Sequence, residues 1–174
     1  ADLGFAQFGR VVCSQDLEGV LQTQSAVQTD RRVVVSVLAR SHTRGPRIAL
    51  DDGSTEQVDL VCLCDGGRSP LVNALGLSPQ YRDFGRSAVL MRIDVTHPTP
   101  GEAIERFTST GPLALLPLGG TRYGVVWSLA PANAQALAAD TPRLLQSVER
   151  ALDGRLGRCS GVTDPVVIPL VERW

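Results

Sequence analysis

Apolar positions in the first half of the chain come in short runs separated by polar turns. Leu17, Val20, Leu21 and Gln24 recur at helical spacing behind a capping Ser14, which predicts a helix over residues 15–25. The valine-rich residues 32–39 and the short run 47–50 read as strands, with Asp51-Asp52-Gly53 turning into the next segment. Val61-Cys62-Leu63-Cys64 is short, continuous and unalternating, the pattern of a strand buried on both faces. Asp65 stands at its carboxyl end, where open α/β sheets place their ligands. Gly66 and Gly67 follow, then Ser69 as an N-cap, Pro70 at the first helical position and Gly76 just past a short helix. An aspartate beside such a turn can accept hydrogen bonds from sugar hydroxyls, and the two glycines let a ligand approach the backbone. The same residues also read as a plain strand-turn-helix corner.

A change of composition at Leu77-Ser78-Pro79-Gln80 marks a junction. Beyond it, residues 86–95 suit a strand and His97-Pro98-Thr99-Pro100-Gly101 a loop. Residues 103–108, 113–118 and 122–128 read as antiparallel strands, the last two forming a hairpin through Gly119-Gly120 that sets Leu116 beside Val125 or Val126. Thr141 caps and Pro142 begins a helix with an apolar stripe of Leu144, Leu145, Val148 and Leu152, and Gly154 follows its end. Residues 166–170 make a last strand. The element order predicts an α/β to α+β fold: strands and helices first, then an antiparallel sheet with a covering helix.

Charge and cysteine content narrow the possible chemistry. The 17 basic and 18 acidic side chains leave a formal charge of −1 without a basic run, which argues against a nucleic-acid partner. No apolar stretch is long enough to span a membrane, and no basic-then-apolar leader opens the chain, so a cytoplasmic location is expected, free or peripheral at the inner face of the membrane. Cys62 and Cys64 share one face of the most apolar run and read as small buried hydrophobes. The two histidines have no ligand spacing to any cysteine, and no zinc site is expected.

Several segments, taken together, carry a resemblance. The Asp65-Gly66 turn, Phe84-Gly85-Arg86-Ser87-Ala88, Glu105-Arg106-Phe107-Thr108, Gly111-Pro112-Leu113-Ala114-Leu115-Leu116-Pro117-Leu118, Arg122 and Val125-Val126-Trp127 occur in this order. In that order they resemble the middle of a flavin-dependent aromatic hydroxylase of the ubiquinone-biosynthesis type, a branch of the p-hydroxybenzoate hydroxylase class. The resemblance implies FAD as cofactor and NAD(P)H as co-substrate. It also implies oxygen transfer to the ring of a polyprenylated phenol or quinone precursor. Asp65 and Gly66 match the family's aspartate-glycine turn beside the flavin. Gln15 falls where the class has an arginine or glutamine reaching the ribityl or pyrophosphate part, and Arg122 falls near a family arginine close to the flavin. Alternation puts Leu116 and Leu118 on one strand face, where an apolar wall suits a polyprenylated ring; both also read as ordinary core. No residue is assigned a catalytic acid, base or nucleophile role.

Two family features are absent from the sequence: a Gly-x-Gly-x-x-Gly after a strand and the later glycine-aspartate motif with its helix. The resemblance therefore implies an internal piece of a longer enzyme: residues 1–78 a partial FAD-binding domain, 79–164 an antiparallel substrate domain, and 165–174 a strand returning to the FAD-binding domain. Such a piece is expected to be inactive alone, to have the other portions of its own FAD-binding domain as partners, and to self-associate through apolar faces. The rival reading is a non-catalytic β-rich module that binds a hydrophobic ligand or partner.

Overall fold

The computed structural model describes residues 9–24, 30–38, 45–65 and 69–173 of the chain. They form helix α1 (Ser14–Gln24), strands β1 (Val34–Leu38), β2 (Arg47–Leu50) and β3 (Thr55–Gln57), helix α2 (Pro70–Ala74), and strands β4 (Tyr81–Val95), β5 (Ile104–Thr108), β6 (Gly111–Gly119) and β7 (Arg122–Leu129). Helices α3 (Pro131–Ala138) and α4 (Thr141–Ala151) and strands β8 (Cys159–Gly161) and β9 (Val166–Arg173) complete them. This is the expected mixture of helices and antiparallel sheet. The chain divides into two units, Ser25–Arg82 with Glu172–Trp174, and Ala1–Gln24 with Asp83–Val171.

In the smaller unit β1, β2 and β3 form an antiparallel sheet in that order. Its β2–β3 turn is tied by side chains. Asp52 accepts from the Ser54 N–H at 2.9 Å, and the Asp51 carboxylate accepts from the Val33 N–H at 3.0 Å. Beside the turn Arg32 donates to Asp30 and Glu56 and, at 3.2 Å, to the Ser54 hydroxyl. Helix α2 packs against β1 and has the caps its sequence calls for. Ser69 Oγ accepts from the Leu71 N–H at 3.2 Å. At the other end the Leu77 N–H reaches Val72 and the Gly76 N–H reaches Asn73. That double closure requires the left-handed backbone that Gly76 supplies at φ 67°. Leu50, Leu71 and Ser69 are buried here.

The run 61–64 departs from expectation. It is not a strand; Cys62 and Cys64 are exposed, and Val61 and Leu63 are only half-buried. An apolar run becomes a strand only where a neighbouring ladder receives its N–H and C=O groups, and no strand pairs with this one among the described residues. The reading of the two cysteines as buried hydrophobes is corrected with it.

The larger unit is an antiparallel sheet in the order β5-β6-β7-β4-β8, with β9 also pairing β4. Alternation sends Val89, Met91, Ile93 and Val95 of β4, Leu113 and Leu115 of β6, and Tyr123, Val125, Trp127 and Leu129 of β7 into one core. Helices α3 and α4 contribute Ala134, Leu144 and Val148 to that core, and Leu152 and Leu156 follow from the loop after α4. Trp127 enters for its ring alone, since its Nε1–H has no hydrogen-bond partner among the described residues. Helix α3 has no counterpart in the sequence reading, although Pro131 followed by alanines is a helix-start signature. The cap of α4 is Asp140, which accepts from the Arg143 N–H at 3.1 Å, one residue earlier than the expected Thr141. A carboxylate in that position also complements the helix dipole. Its stripe faces the core as expected. The corresponding stripe of α1 does not: Leu17, Val20 and Leu21 are exposed, and no α1 residue is buried.

The hairpin of β6 and β7 turns through Gly119 and Gly120, at φ 102° and 56°. The pair Gly119 with Arg122 would, if continued, set Leu116 opposite Val125. A bulge at Leu118 shifts the register by one, so Leu116 faces Gly124 instead.

Two outcomes follow from these contacts. Buried Tyr123 donates its hydroxyl to the Thr99 carbonyl at 2.8 Å and accepts from the Thr99 N–H at 3.1 Å, so it ties the loop after β4 to the core. Tyr123→Phe leaves both backbone groups unpaired. Denaturant titration is expected to show a loss of about 1–3 kcal/mol, and an unchanged midpoint would remove this tie from the account. In the smaller unit, hydrogen bonds from Arg32 lower the Asp30 carboxyl from 3.8 to about 2. The folded value lies below the unfolded one, so the contribution is complete above about pH 4 and disappears as pH falls through about 2. NMR titration of the Asp30 carboxyl should give that low midpoint, and Arg32→Met should return it to the ordinary aspartate range.

Candidate functional site

The face of the larger sheet opposite its helices carries the sequence-predicted substrate residues. Because the inward residues of β4, β6 and β7 are fixed by the core, their neighbours must project the other way. Cross-strand pairing assembles them in rows. Ala114, Val126 and Leu90 lie in one row, and Leu116, Gly124 and Arg92 in the next. Phe107, paired with Pro112, extends the face onto β5 and is 81% exposed. Leu90, Ala114, Leu116 and Val126 are half-buried, and Leu118 sits on the bulge at the rim. Leu116 and Leu118 do share a side. The result is an apolar strip with one position, Gly124, that has no side chain.

Charged groups frame the strip. Arg122 pairs directly opposite Asp94, and its Nε and Nη2 each lie 3.4 Å from an Asp94 oxygen. Thr121 donates to the same carboxylate at 3.2 Å. Both partners are partly exposed, so the pair positions more than it stabilises. At the other end Arg86 donates from Nε to Ser128 Oγ at 3.0 Å and from Nη2 to the Ser128 and Thr110 carbonyls. It lies over Gly111, where any Cβ would collide with the guanidinium and the Ser128 carbonyl. Arg92 is the exception among these three arginines: its guanidinium has no hydrogen bond or ion pair among the described residues.

The remaining predicted residues lie elsewhere. Asp65 is an exposed bend residue of the smaller unit without a hydrogen bond or ion pair among the described residues. Gly66 lies outside the described residues. Gln15 is exposed in the first turn of α1 and belongs to the larger unit. Leu116, Leu118 and Arg122 are therefore brought to one sheet face, while Asp65 belongs to the other unit. Sequence reasoning missed Leu90, Arg92, Val126 and Phe107. The alternation Val89-Leu90-Met91-Arg92-Ile93-Asp94-Val95 was the signal that puts Arg92 and Asp94 opposite the core.

Burial, with the Glu149 carboxylate nearby, pushes the Cys159 thiol up to about 11, so it stays protonated at neutral pH. No group of three metal-ligating side chains forms among the described residues. A shallow, open depression lined by Asp30, Arg31, Arg32, Asp51 and Asp52 holds the ion pairs of Arg32 with Asp30 and Asp52, and Asp51 accepts there from the Val33 N–H.

No protein-family model matches the chain. Ubiquinone biosynthesis monooxygenase COQ6 of Homo sapiens is 34% identical over 106 residues, 60% of this chain and 23% of that protein. Ubiquinone hydroxylase UbiL of Rhodospirillum rubrum is 32% identical over 84 residues, 48% of this chain and 20% of that protein. The chain thus spans about a fifth of the length of these relatives. Among solved structures, pqsL of Pseudomonas aeruginosa, a probable FAD-dependent monooxygenase, matches with a TM-score of 0.52 at 20% identity, over 74% of this chain and 40% of its own. In sequence the chain is a relative of the ubiquinone-biosynthesis hydroxylases and monooxygenases, and in fold it is similar to FAD-dependent monooxygenases.

Proposed function

We propose that this chain is the middle portion of an FAD-dependent monooxygenase that hydroxylates the aromatic ring of a polyprenylated ubiquinone precursor, using NAD(P)H and O2. The sequence relationship to ubiquinone hydroxylases carries the reading. The apolar strip on the open face of the larger sheet agrees with it, because a prenylated ring is mostly hydrocarbon and gains from leaving water against Leu116, Leu118, Val126 and Leu90. Nothing observed favours the non-catalytic alternative.

Asp65, Gln15 and Arg122, each taken by itself, fit parts of the cofactor. An exposed carboxylate with no competing partner among the described residues accepts hydrogen bonds from sugar hydroxyls and repels phosphate. It suits the hydroxylated part of FAD and not its pyrophosphate. Gln15 offers an exposed amide donor, and Arg122, half-exposed, keeps donors beyond those it gives Asp94. When bound, FAD supplies the electron-transfer and oxygen chemistry. The chain's own residues hold and orient: the sheet face excludes water from the ring, and the Arg122–Asp94 pair fixes the rim. In this reading residues 1–78 belong to the flavin-binding part, 79–164 to the substrate part, and 165–174 return to the first. The protein is cytoplasmic or peripheral at the inner face of the membrane, where its substrate resides. No helix among the described residues is long and apolar enough to cross a membrane.

The test is expression of the longest reading frame that contains this chain, followed by measurement of flavin content and of NAD(P)H-dependent hydroxylation of a polyprenylated phenol. A colourless protein without hydroxylase activity would remove the proposal. In the flavin-loaded protein, Asp65→Ala is expected to weaken flavin retention about tenfold to a hundredfold and to slow flavin reduction, with substrate affinity little changed. That is the scale of one lost charge-assisted hydrogen bond. Unchanged flavin content and reduction kinetics would assign Asp65 to its turn alone.

A further inference from the structure

Cys62 and Cys64 are two thiols that the proposed chemistry leaves unused. They are exposed, whereas Cys13 and Cys159 are half-buried. Exposure alternates along their segment: Val61 and Leu63 are half-buried, and Cys62 and Cys64 are not. A period of two is that of extended chain, so both thiols stand on the outer side of one short stretch. In such a chain the Cα atoms of residues two apart lie about 6.6 Å from each other, near the upper limit of the about 4.4–6.8 Å that a disulfide spans. A strand held in a ladder resists being drawn shorter, because its N–H and C=O groups are committed to a neighbour. Residues 61–64 have no ladder among the described residues, so the segment can bend to close a bridge. Asp65, next along the chain, is already a bend.

The geometry points to a redox-modification site: a Cys62–Cys64 disulfide formed reversibly by exchange with a low-molecular-weight disulfide such as oxidised glutathione. One cysteine thiolate attacks a sulfur of that disulfide, forms a mixed disulfide and releases one small thiolate. The second cysteine thiolate attacks the protein-bound sulfur and releases the other. The cysteine pair is oxidised by two electrons, one small disulfide is reduced, and the two protons leaving the cysteines are taken up by the two small thiols. Closure near the limit of span leaves the bridge strained, and its exposure gives thiols access to it, so it is easily reduced. So short a loop restricts the unfolded chain little, which makes the bridge a poor staple and a good switch. Cys13 and Cys159 are poor alternatives, since both are half-buried in the larger unit and Cys159 stays a thiol at neutral pH. The bridge needs neither flavin nor substrate, so it stands or falls apart from the hydroxylase reading.

The experiment incubates the reduced chain with oxidised glutathione, alkylates the remaining thiols in denaturant and maps the cysteine peptides by mass spectrometry. The peptide spanning residues 62–64 is expected to lose two hydrogens and to carry neither alkyl group nor glutathione, with Cys13 and Cys159 alkylated. This bridge should form about tenfold or more faster than any pairing that includes Cys13 or Cys159, because exchange requires access to the thiolate. Excess reduced glutathione should open it. Cys64→Ser should instead retain glutathione on Cys62, where no second thiol stands by to expel it. Backbone amide NMR signals that move on oxidation should be those of residues 61–65. An unreacted pair, separate glutathione adducts on Cys62 and Cys64, a bridge from either to Cys13, Cys159 or a second chain, or a bridge that excess thiol leaves closed would each overturn the inference. The map of the unmutated chain decides this whether or not the variant folds.

Discussion

The ladder between β4 and β7, from Ser87 opposite Leu129 to Asp94 opposite Arg122, is the constraint on which the larger unit depends. Side chains alternate along a strand, so a slip of one residue would turn every position to the other face. Arg92 and Asp94 would then enter the core beneath α3 and α4, and Val89, Met91 and Ile93 would leave it. Burying unpaired charges costs far more than any local adjustment recovers. The core therefore dictates which side chains remain for the open face. The bulge at Leu118 is a small departure from this rule: it moves one side chain to the rim without disturbing the pairs between Leu113 and Pro117.

Elements whose signals are local were readable from the chain. Helix α2 announces itself through Ser69, Pro70 and Gly76, and the β6–β7 hairpin through two apolar runs around a glycine pair. The helix after Asp140 is equally clear, and its cap was displaced only because aspartate and threonine, both good caps, are neighbours there. What failed depends on distant partners. Residues 61–64 have the composition of a buried strand, but composition provides no ladder. The stripe of α1 has the right spacing, yet spacing does not supply a surface to cover it. Of the site, the shared face of Leu116 and Leu118 follows from alternation. That Arg92 faces Gly124 was hidden, because the relation is set by strand pairing across 32 positions of sequence.

The two units hold themselves together by different means. The larger has a continuous apolar core drawn from four strands and two helices, together with the residues after α4, and a buried tyrosine that fastens a proline-bearing loop to it. Among its described residues the smaller buries only Leu50, Ser69 and Leu71, and its turn is organised by Asp51, Asp52 and the partners of Arg32. Apolar burial is not screened by salt, whereas exposed ion pairs are. Raised ionic strength therefore weakens the exposed ion pairs of Arg32.

Gly124 has a consequence for how such a surface diversifies. Its backbone is ordinary strand, and the space above it is open enough that a Cβ meets only van der Waals contact. A side chain there removes glycine's excess freedom in the unfolded chain and introduces no strain in the folded one. Most positions that line a ligand are held by packing, so altering them damages the scaffold. Gly124 stands apart from the core behind it, so a side chain placed there changes the open face while the fold remains intact.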